Sequence, residues 1–321
     1  MHTDSDTARP ATKHPGKRPA REHRATKRAA EPGAAQTVTS GRTWGLFVIR
    51  LRAPRRSALW AAIAILCALG GLCLAAPLLT DLDPLATDIA ARSLPPGSEG
   101  HLLGTDNLGR DLFTRLLYGG RISLLVGLAA AAVTVLVGVA LGVVAAQGPR
   151  WVDAVVSRVA DTLLSLPLLV VVLALSAVLG GSLGVVILAI AITSWMPVAL
   201  VTRAELRSQR ERRYVRAAHS LGLSPWRVLT AHSLPGALPP VASIAAFEVG
   251  HAILTESTLS FLGLGVPPNR PAWGTLLENA QSHLLTGEWY TVALPAAAIV
   301  VTIVAVNVIA STIAAAEGRA W

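Results

Sequence analysis

The stretch ISLLVGLAAAAVTVLVGVALGVVAA occupies residues 122–146 and contains no charged side chain. A helix of this length is about 38 Å long, because each residue adds about 1.5 Å. The hydrocarbon layer of a bilayer is about 30 Å thick, and only a helix or a closed barrel satisfies its own backbone hydrogen bonds there. These residues are therefore predicted to form a membrane-spanning helix.

Five further stretches have the same character, and together they predict an all-α, polytopic membrane protein with six transmembrane helices. The six predicted spans are Ala58–Leu79, Ile122–Ala146, Thr162–Leu179, Leu183–Val201, Pro240–Leu262 and Thr291–Ala315. The composition agrees, since 52% of the residues are apolar and only 15% are charged, against about 25% in soluble domains. The third and fourth spans are separated only by Gly180, Gly181 and Ser182, which predicts a tight hairpin.

Positive charge is distributed unevenly between the loops. Of the 28 lysine and arginine residues, 23 lie before the first span, in loops 147–161 and 202–227, or after the last span. Because positively charged loops stay in the cytoplasm, both termini are expected there. The predicted organisation is a disordered basic tail (1–50), a first span with an external loop (51–120), and a core of five spans (121–321) that contains the cytoplasmic loop 202–234. The cations of the tail either set this topology or also contact anionic lipid.

No motif in the chain predicts catalysis, a cofactor site or a metal site. All three lysines, Lys13, Lys17 and Lys27, lie in the tail, so no phosphate-binding loop of the form G-x-x-x-x-G-K-[ST] occurs downstream. Two cysteines inside the first span make neither a disulfide framework nor a zinc site. Residues 180–184 match the G-x-S-x-G pattern of hydrolases, but they lie in a hairpin between spans rather than after a strand.

The cytoplasmic loop between the fourth and fifth spans carries a short apolar stripe. The stripe consists of Tyr214, Ala217, Ala218 and Leu221, at helical spacing. Gly222 is suited to end this helix, and Ser224 with Pro225 is suited to begin a second one. Two adjacent alanines leave a shallow surface, which suits docking into a groove of another protein. The alternative is an amphipathic helix that lies on the bilayer surface.

Several segments resemble one family. Residues 216–222 and 232–235 resemble the E-A-A-x-x-x-G-x9-I-x-L-P signature of permease subunits of ABC importers. Arg216 stands where that signature usually has Glu, and His232 stands where it has Ile. Residues 101–111, 118–124, 259–266 and 271–274 are similar to stretches of the dipeptide/oligopeptide/nickel permease family, C-type subunit. The match extends from about residue 50 to the C-terminus.

This resemblance implies a non-catalytic permease with the fold of type I ABC importers, in a bacterial cytoplasmic membrane. It implies a heterodimer with a second permease, two ATPase subunits that bind ATP and Mg²⁺, and an extracytoplasmic solute-binding protein. Peptides, nickel or similar small solutes are the implied cargo, and no nucleic acid is expected as a partner. The implied coupling helix runs from about Arg212 to Leu221. Its proposed docking residues are Arg213, Tyr214, Arg216, Ala217, Ala218, His219, Leu221 and Gly222.

Two further groups of residues are candidate functional sites. The external group consists of Gly104, Thr105, Asp106, Gly109, Arg110 and Asp111. These turn formers and charges predict either a rigid loop, in which the aspartates cap backbone N–H groups, or a contact with the binding protein or substrate. The second group, Glu248, His251 and Glu256, lies in or near the fifth span. Ionisable groups at this depth either line a pathway or form an internal polar pair or a subunit contact.

Two other classes of protein are alternatives. A stand-alone secondary transporter or channel would be supported by inverted internal repeats, and none is convincing in this sequence. An intramembrane enzyme would need a nucleophile with a base, or metal ligands, at one depth, and no such set is evident.

Overall fold

The computed structural model describes residues 56–180, 182–267, 269–281 and 287–317. The predicted tail and Gly181 of the predicted hairpin lie outside these ranges. Within them the chain forms helices, and its only β interactions are two isolated bridges in the loop 98–111. The predicted all-α class is therefore confirmed.

The helices are α1 (Arg56–Leu74), α2 (Ala76–Leu79), α3 (Leu112–Gln147), α4 (Arg150–Leu164), α5 (Leu168–Leu179), α6 (Leu183–Arg210), α7 (Arg213–Ser220), α8 (Pro225–Val228), α9 (Leu234–Phe261), α10 (Trp273–Ala280) and α11 (Trp289–Glu317). A π-helical turn over 229–233 joins α8 to α9. Among the described residues, five helical stretches are long and apolar enough to span a membrane: α1, α3, α6, α8 with α9, and α11. The bent pair α4–α5 makes a sixth if it is counted as one broken span, which agrees with the predicted number.

The predicted third span, Thr162–Leu179, is wrong as one continuous helix. Residues 162–164 end α4, and α5 is bent by 90° relative to α4 across residues 165–167. Pro167 explains the break, because it has no N–H for the carbonyl of Leu163. α5 has 12 residues and is only about 18 Å long, which is too short to cross a bilayer by itself. The run of apolar residues in the sequence continues from the end of the charged helix α4 into the apolar helix α5, so hydrophobicity alone did not separate the two helices.

The ends of two other predicted spans also need correction. α1 ends at Leu74 rather than continuing to Leu79, because Pro77 cannot donate a hydrogen bond to the carbonyl of Cys73. α3 begins at Leu112, ten residues before the predicted start, and Asp111 caps it by accepting a hydrogen bond from the backbone N–H of Thr114 at 2.7 Å. Capping, rather than hydrophobicity, sets where this helix begins.

α3 and α6 form the centre of the bundle and run in the same direction. A Cβ at Gly138 would lie 2.6 Å from Cβ of Val198, and one at Gly142 would lie 2.6 Å from Cβ of Thr202, so the helices approach as closely as glycine allows. Towards their N-termini, Val126 packs in the same cluster as Val186. Because the two helices are parallel, the segment between them must return along the bundle, and the bent pair α4–α5 forms this return.

The remaining long helices complete the bundle. α9 packs against α3, α6 and α11, and α11 packs against α1. We call the end that contains the loop 75–111 and α10 the α10 end. There the hydroxyl of Tyr290 donates to the carbonyl of Leu94 at 3.0 Å, across 196 positions of sequence. The α7 end, which contains α7, α8 and the C-terminal ends of α3 and α6, lies at the opposite end of the bundle.

Candidate functional site

The α7 segment ends in a tight turn whose geometry follows from its sequence. Gly222 has φ +77°, which is the left-handed conformation that glycine adopts without strain. The N–H of Leu223 donates to the carbonyl of Ala218 at 3.3 Å, which is the long hydrogen bond of a Schellman turn. Ser224 then caps α8 by accepting from the N–H of Arg227 at 3.4 Å. The predicted sequence of helix, turn and second helix is confirmed.

The predicted apolar stripe is divided between two faces of α7. Ala218 is only 4% exposed and packs with Val215 and Val228 in the interior of the segment. The expectation that both alanines present a docking surface is therefore wrong for Ala218. The exposed apolar side chains of this loop are Tyr214 (48% exposed), Ala217, Leu221 (80%) and Trp226 (72%). We call this set the docking face, after the role proposed for it below. Sequence reasoning missed Val215, which takes the inward position, and Trp226, which lies beyond the turn.

The charged residues of α7 lie in solvent. Arg213 and His219 are exposed. Arg216 folds back onto Glu211, donating from Nη2 to its carbonyl oxygen at 2.8 Å and to its carboxylate at 3.1 Å. Both side chains are well exposed, so this ion pair contributes little to stability. Arg216, at the position where the signature has Glu, therefore finds its acidic partner within the same loop.

A buried glutamine connects α7 to two long helices. Gln209 on α6 accepts a hydrogen bond from the hydroxyl of Tyr214 at 2.6 Å. Its Nε2 donates to Glu205 at 2.8 Å and to the carbonyl of Gly236, on α9, at 3.0 Å. The Gly236 carbonyl needs this donor, because Pro240 has no N–H to complete the usual helical bond. The proline pattern reveals an unpaired carbonyl, but the sequence does not indicate that Gln209 pairs with it.

An ion cluster fastens α4 to α6 at the same end. The Asp153 carboxylate accepts a hydrogen bond from Nη2 of Arg203 at 2.9 Å and forms an ion pair with Nη2 of Arg207 at 2.7 Å. Nε of Arg203 also donates to this carboxylate. A guanidinium that binds both oxygens of a carboxylate fixes orientation as well as distance. The return segment is thereby attached to α6, close to α7.

At the α10 end, the predicted external group forms a compact loop. Gly104 and Gly109 have φ +80° and +73°. A Cβ at Gly104 would overlap the carbonyl of Leu94, and a Cβ at Gly109 would lie 2.6 Å from the carbonyl carbon of Asp88. Both glycines are required for conformation and for space.

Buried ion pairs and caps hold this loop together. Asp106 accepts from Nε of Arg110 at 2.7 Å and from Nη1 of Arg115 at 3.3 Å. Asp111 caps α3, and its carboxylate is also hydrogen-bonded to Nδ1 of His101 at 2.9 Å. Thr105 has no exposed surface and accepts from the N–H of Leu94 at 2.9 Å. These are the contacts expected of a rigid loop, and Arg115 is the participant that sequence reasoning missed.

Three segments that are distant in sequence lie together at this end. The segments 118–124 and 271–274 meet at Trp273, and a Cβ at Gly274 would lie 2.5 Å from Cβ of Ser260, in the segment 259–266. Trp273 is fully buried; its backbone N–H donates to Oγ of Ser123 at 3.1 Å, and its Nε1 donates to the carbonyl of Leu116 at 3.0 Å. A Cβ at Gly120 would lie 2.8 Å from the Trp273 ring and would overlap Sγ of Cys73. The glycines of these segments thus allow α3, α1 and α10 to approach closely.

The ionisable groups of α9 do not form one set. Glu256 has no exposed surface and accepts hydrogen bonds from Ser260 at 2.8 Å and Ser257 at 3.3 Å. Of the two alternatives, its burial favours the internal one for Glu256, because this carboxyl lies inside the bundle of the chain. Glu248 lies 3.8 Å from Nδ1 of His251, and the His251 side chain is half exposed. Of the three ionisable residues of α9, His251 reaches the surface of the chain, whereas Glu248 is 7% exposed and Glu256 is fully buried.

Comparison with known proteins places these features in context. The family model for the binding-protein-dependent transport system inner membrane component matches residues 138–319. A putative peptide transport system permease protein of Brucella suis biovar 1 (strain 1330) is 39% identical over 73% of this chain and 78% of its own length. A probable D,D-dipeptide transport system permease protein of Escherichia coli (strain K12) is 40% identical over 72% and 77%.

One further relative and one solved structure also match parts of the chain. A dipeptide transport system permease protein of Alkalihalophilus pseudofirmus is 36% identical over 73% of this chain and 76% of its own length. The crystal structure of an amino acid ABC transporter with histidines aligns with a TM-score of 0.48 and 19% identity, over 64% of this chain and 94% of the other.

Proposed function

Because the chain belongs to the family of binding-protein-dependent transport system inner membrane components, we propose that it carries dipeptides or oligopeptides across the membrane, driven by ATPase subunits that dock on α7. The peptide cargo is taken from the names of the relatives. The family supports a multi-pass inner-membrane permease over a stand-alone secondary transporter or channel. The permease itself is proposed to be non-catalytic, with ATP and Mg²⁺ bound by the partner subunits.

The docking face is the single observation that carries this proposal. Leu221 and Trp226 are 80% and 72% exposed on a short loop outside the long helices. Large apolar side chains that stay exposed on one short loop, next to arginines in sequence, are typical of protein interfaces. The surrounding arginines keep the loop soluble and suit an acidic rim on the partner. The alternative, insertion of this face into the bilayer surface, makes the opposite prediction in the experiment below.

The links behind the docking face support a mechanical role for α7. In the proposed cycle, ATP binding closes the ATPase dimer and displaces α7. Gln209 passes this displacement to α6 and α9, and the Asp153 cluster moves α4 with α6. Helices that move as rigid bodies then alternate access between the two sides.

The remaining assignments follow from the two ends of the bundle. Both termini and α7 are proposed to be cytoplasmic, on the charge distribution described above. The α10 end would then face the solute-binding protein, and its rigid loop would hold the entrance in shape. His251 is proposed to face the pathway or the second permease, because its half-exposed imidazole, beside the buried carboxyl of Glu248, would be costly against lipid at membrane depth.

Co-purification with the ATPase subunits tests the docking face. Leu221→Asp and Ala217→Trp should each weaken ATPase association about 30-fold or more, because an interface hot spot is worth about 2 kcal/mol or more. Ile89→Asp, at a 78% exposed position of the α10 end, is the matched control and should leave ATPase association unchanged. Wild-type association in both docking-face variants, measured on complexes with normal membrane insertion, would reject the assignment and favour the bilayer alternative.

A further inference from the structure

A second surface feature, at the α10 end, is not used by the proposed cycle. It is an open cleft of about 330 Å³ where the first turns of α3 meet the segment that precedes α10. The cleft is lined by Tyr118, Arg121, Ile122, Leu125, Arg270 and Pro271. Two guanidinium groups therefore share one small cleft.

Neither of these arginines is neutralised by an acid of the described chain. No described carboxylate lies within 4.0 Å of Arg121 or Arg270. Positions 268 and 282–286, which lie outside the described residues, contain no Asp or Glu. The Arg121 guanidinium instead lies 5.6 Å from the centre of the Tyr118 ring. By contrast, Arg110 and Arg115 at the same end both bind Asp106.

The two cations are brought together by packing around Trp273. Arg121 follows Gly120, whose close approach to the Trp273 ring sets the position of α3. Arg270 precedes the buried Pro271, and its N–H donates to the carbonyl of Pro267 at 3.0 Å in a tight turn. Like charges repel, so a scaffold that holds two guanidiniums at one cleft without an acid favours an anion between them. Carboxylates and phosphates match the planar donor pattern of arginine.

The other wall of the cleft is apolar. Ile122 and Leu125 begin the uncharged stretch of α3, and Leu125 is more than half exposed. The cleft therefore lies at the boundary between the polar end of the bundle and its apolar section. A ligand that fits both walls has an oxyanion joined to an apolar group.

We propose that Arg121 and Arg270 form an oxyanion site that takes the carboxylate or phosphate group of an amphiphilic ligand. One source is the free C-terminal carboxylate of an apolar peptide, and this source rests on the proposed function. The other source is the phosphate of a phospholipid, with an acyl chain against Leu125. In either case the guanidiniums bind the oxyanion, and Ile122 and Leu125 contact the apolar part.

A thiol-protection experiment on the complete transporter tests the peptide source. Leu125→Cys is introduced after Cys67 and Cys73 have been replaced by alanine, and the rate at which a thiol reagent labels it is measured. Millimolar alanyl-phenylalanine should slow labelling, and its C-terminal amide should need about tenfold more ligand for the same protection, as expected for the loss of a charged hydrogen bond. Arg121→Gln and Arg270→Gln should abolish the protection, and Arg121→Lys should retain part of it.

Native mass spectrometry of the same complexes, taken from membranes rich in phosphatidylglycerol, tests the lipid source. A bound phospholipid that disappears in Arg121→Gln and Arg270→Gln would identify phosphate as the ligand group. Arg92→Gln is the control, since Arg92 is an exposed arginine at this end that donates to the carbonyl of Asn107. The proposal is overturned if neither peptide protection nor lipid retention depends on Arg121 or Arg270. Both measurements stand even if the wild-type complex transports no peptide, which would reject only the proposed function.

Discussion

Gln209→Leu should uncouple α7 from the bundle while leaving the docking face intact. The substitution keeps the volume of the side chain but removes three hydrogen bonds, to Tyr214, Glu205 and Gly236. Each such hydrogen bond contributes about 0.5–1.5 kcal/mol to stability, so Gln209→Leu should lower the free energy of unfolding by about 2–4 kcal/mol. The Gly236 carbonyl contributes strongly, because Pro240 leaves it without a helical donor.

The assay compares stability and coupling in the assembled transporter. Gln209→Leu should lower the unfolding temperature of the purified complex and reduce peptide uptake per ATP hydrolysed in proteoliposomes, with ATPase association unchanged. Tyr214→Phe removes one of the three bonds and should cost about 1 kcal/mol. Gln147→Leu is the matched control, because Gln147 is an exposed glutamine at the same end that pairs with Arg210. A wild-type uptake ratio and unfolding temperature in Gln209→Leu, or an equal defect in Gln147→Leu, would refute this reasoning.

Two predictions concern the α10 end. Gly109→Ala should give a protein with a much lower unfolding temperature than Gly97→Ala. Both glycines have a positive φ, and an alanine in that conformation costs about 1 kcal/mol of stability by backbone strain alone. Only at Gly109 would the new Cβ also collide with Asp88. Equal unfolding temperatures would contradict the overlap. Ser123→Ala should lower the free energy of unfolding by about 1–3 kcal/mol, because it leaves the buried N–H of Trp273 without its acceptor. Chemical denaturation followed by tryptophan fluorescence measures this loss. An unchanged denaturation midpoint would show that the hydrogen bond contributes nothing to stability.

Local features were predictable because neighbouring residues decide them. The turn after α7 needs only a glycine at 222 and the Ser224–Pro225 pair, and both have the expected geometry. The long apolar helices were predictable because the free energy of insertion into a bilayer sums along a single segment. The same reasoning failed at residues 162–167, where the end of a charged helix and the start of an apolar one were merged into one span.

The sequence by itself determined the helical class, the long spans and the family, since hydropathy, turn residues and short motifs are properties of consecutive positions. Only the tertiary structure decided that Ala218 faces inward, that Gln209 supplies the hydrogen bond missing at Gly236, and that Arg121 and Arg270 share a cleft. Each of these depends on a contact between elements that are separate in sequence. Such contacts arise from how whole helices pack, and many different packings are compatible with the same local pattern.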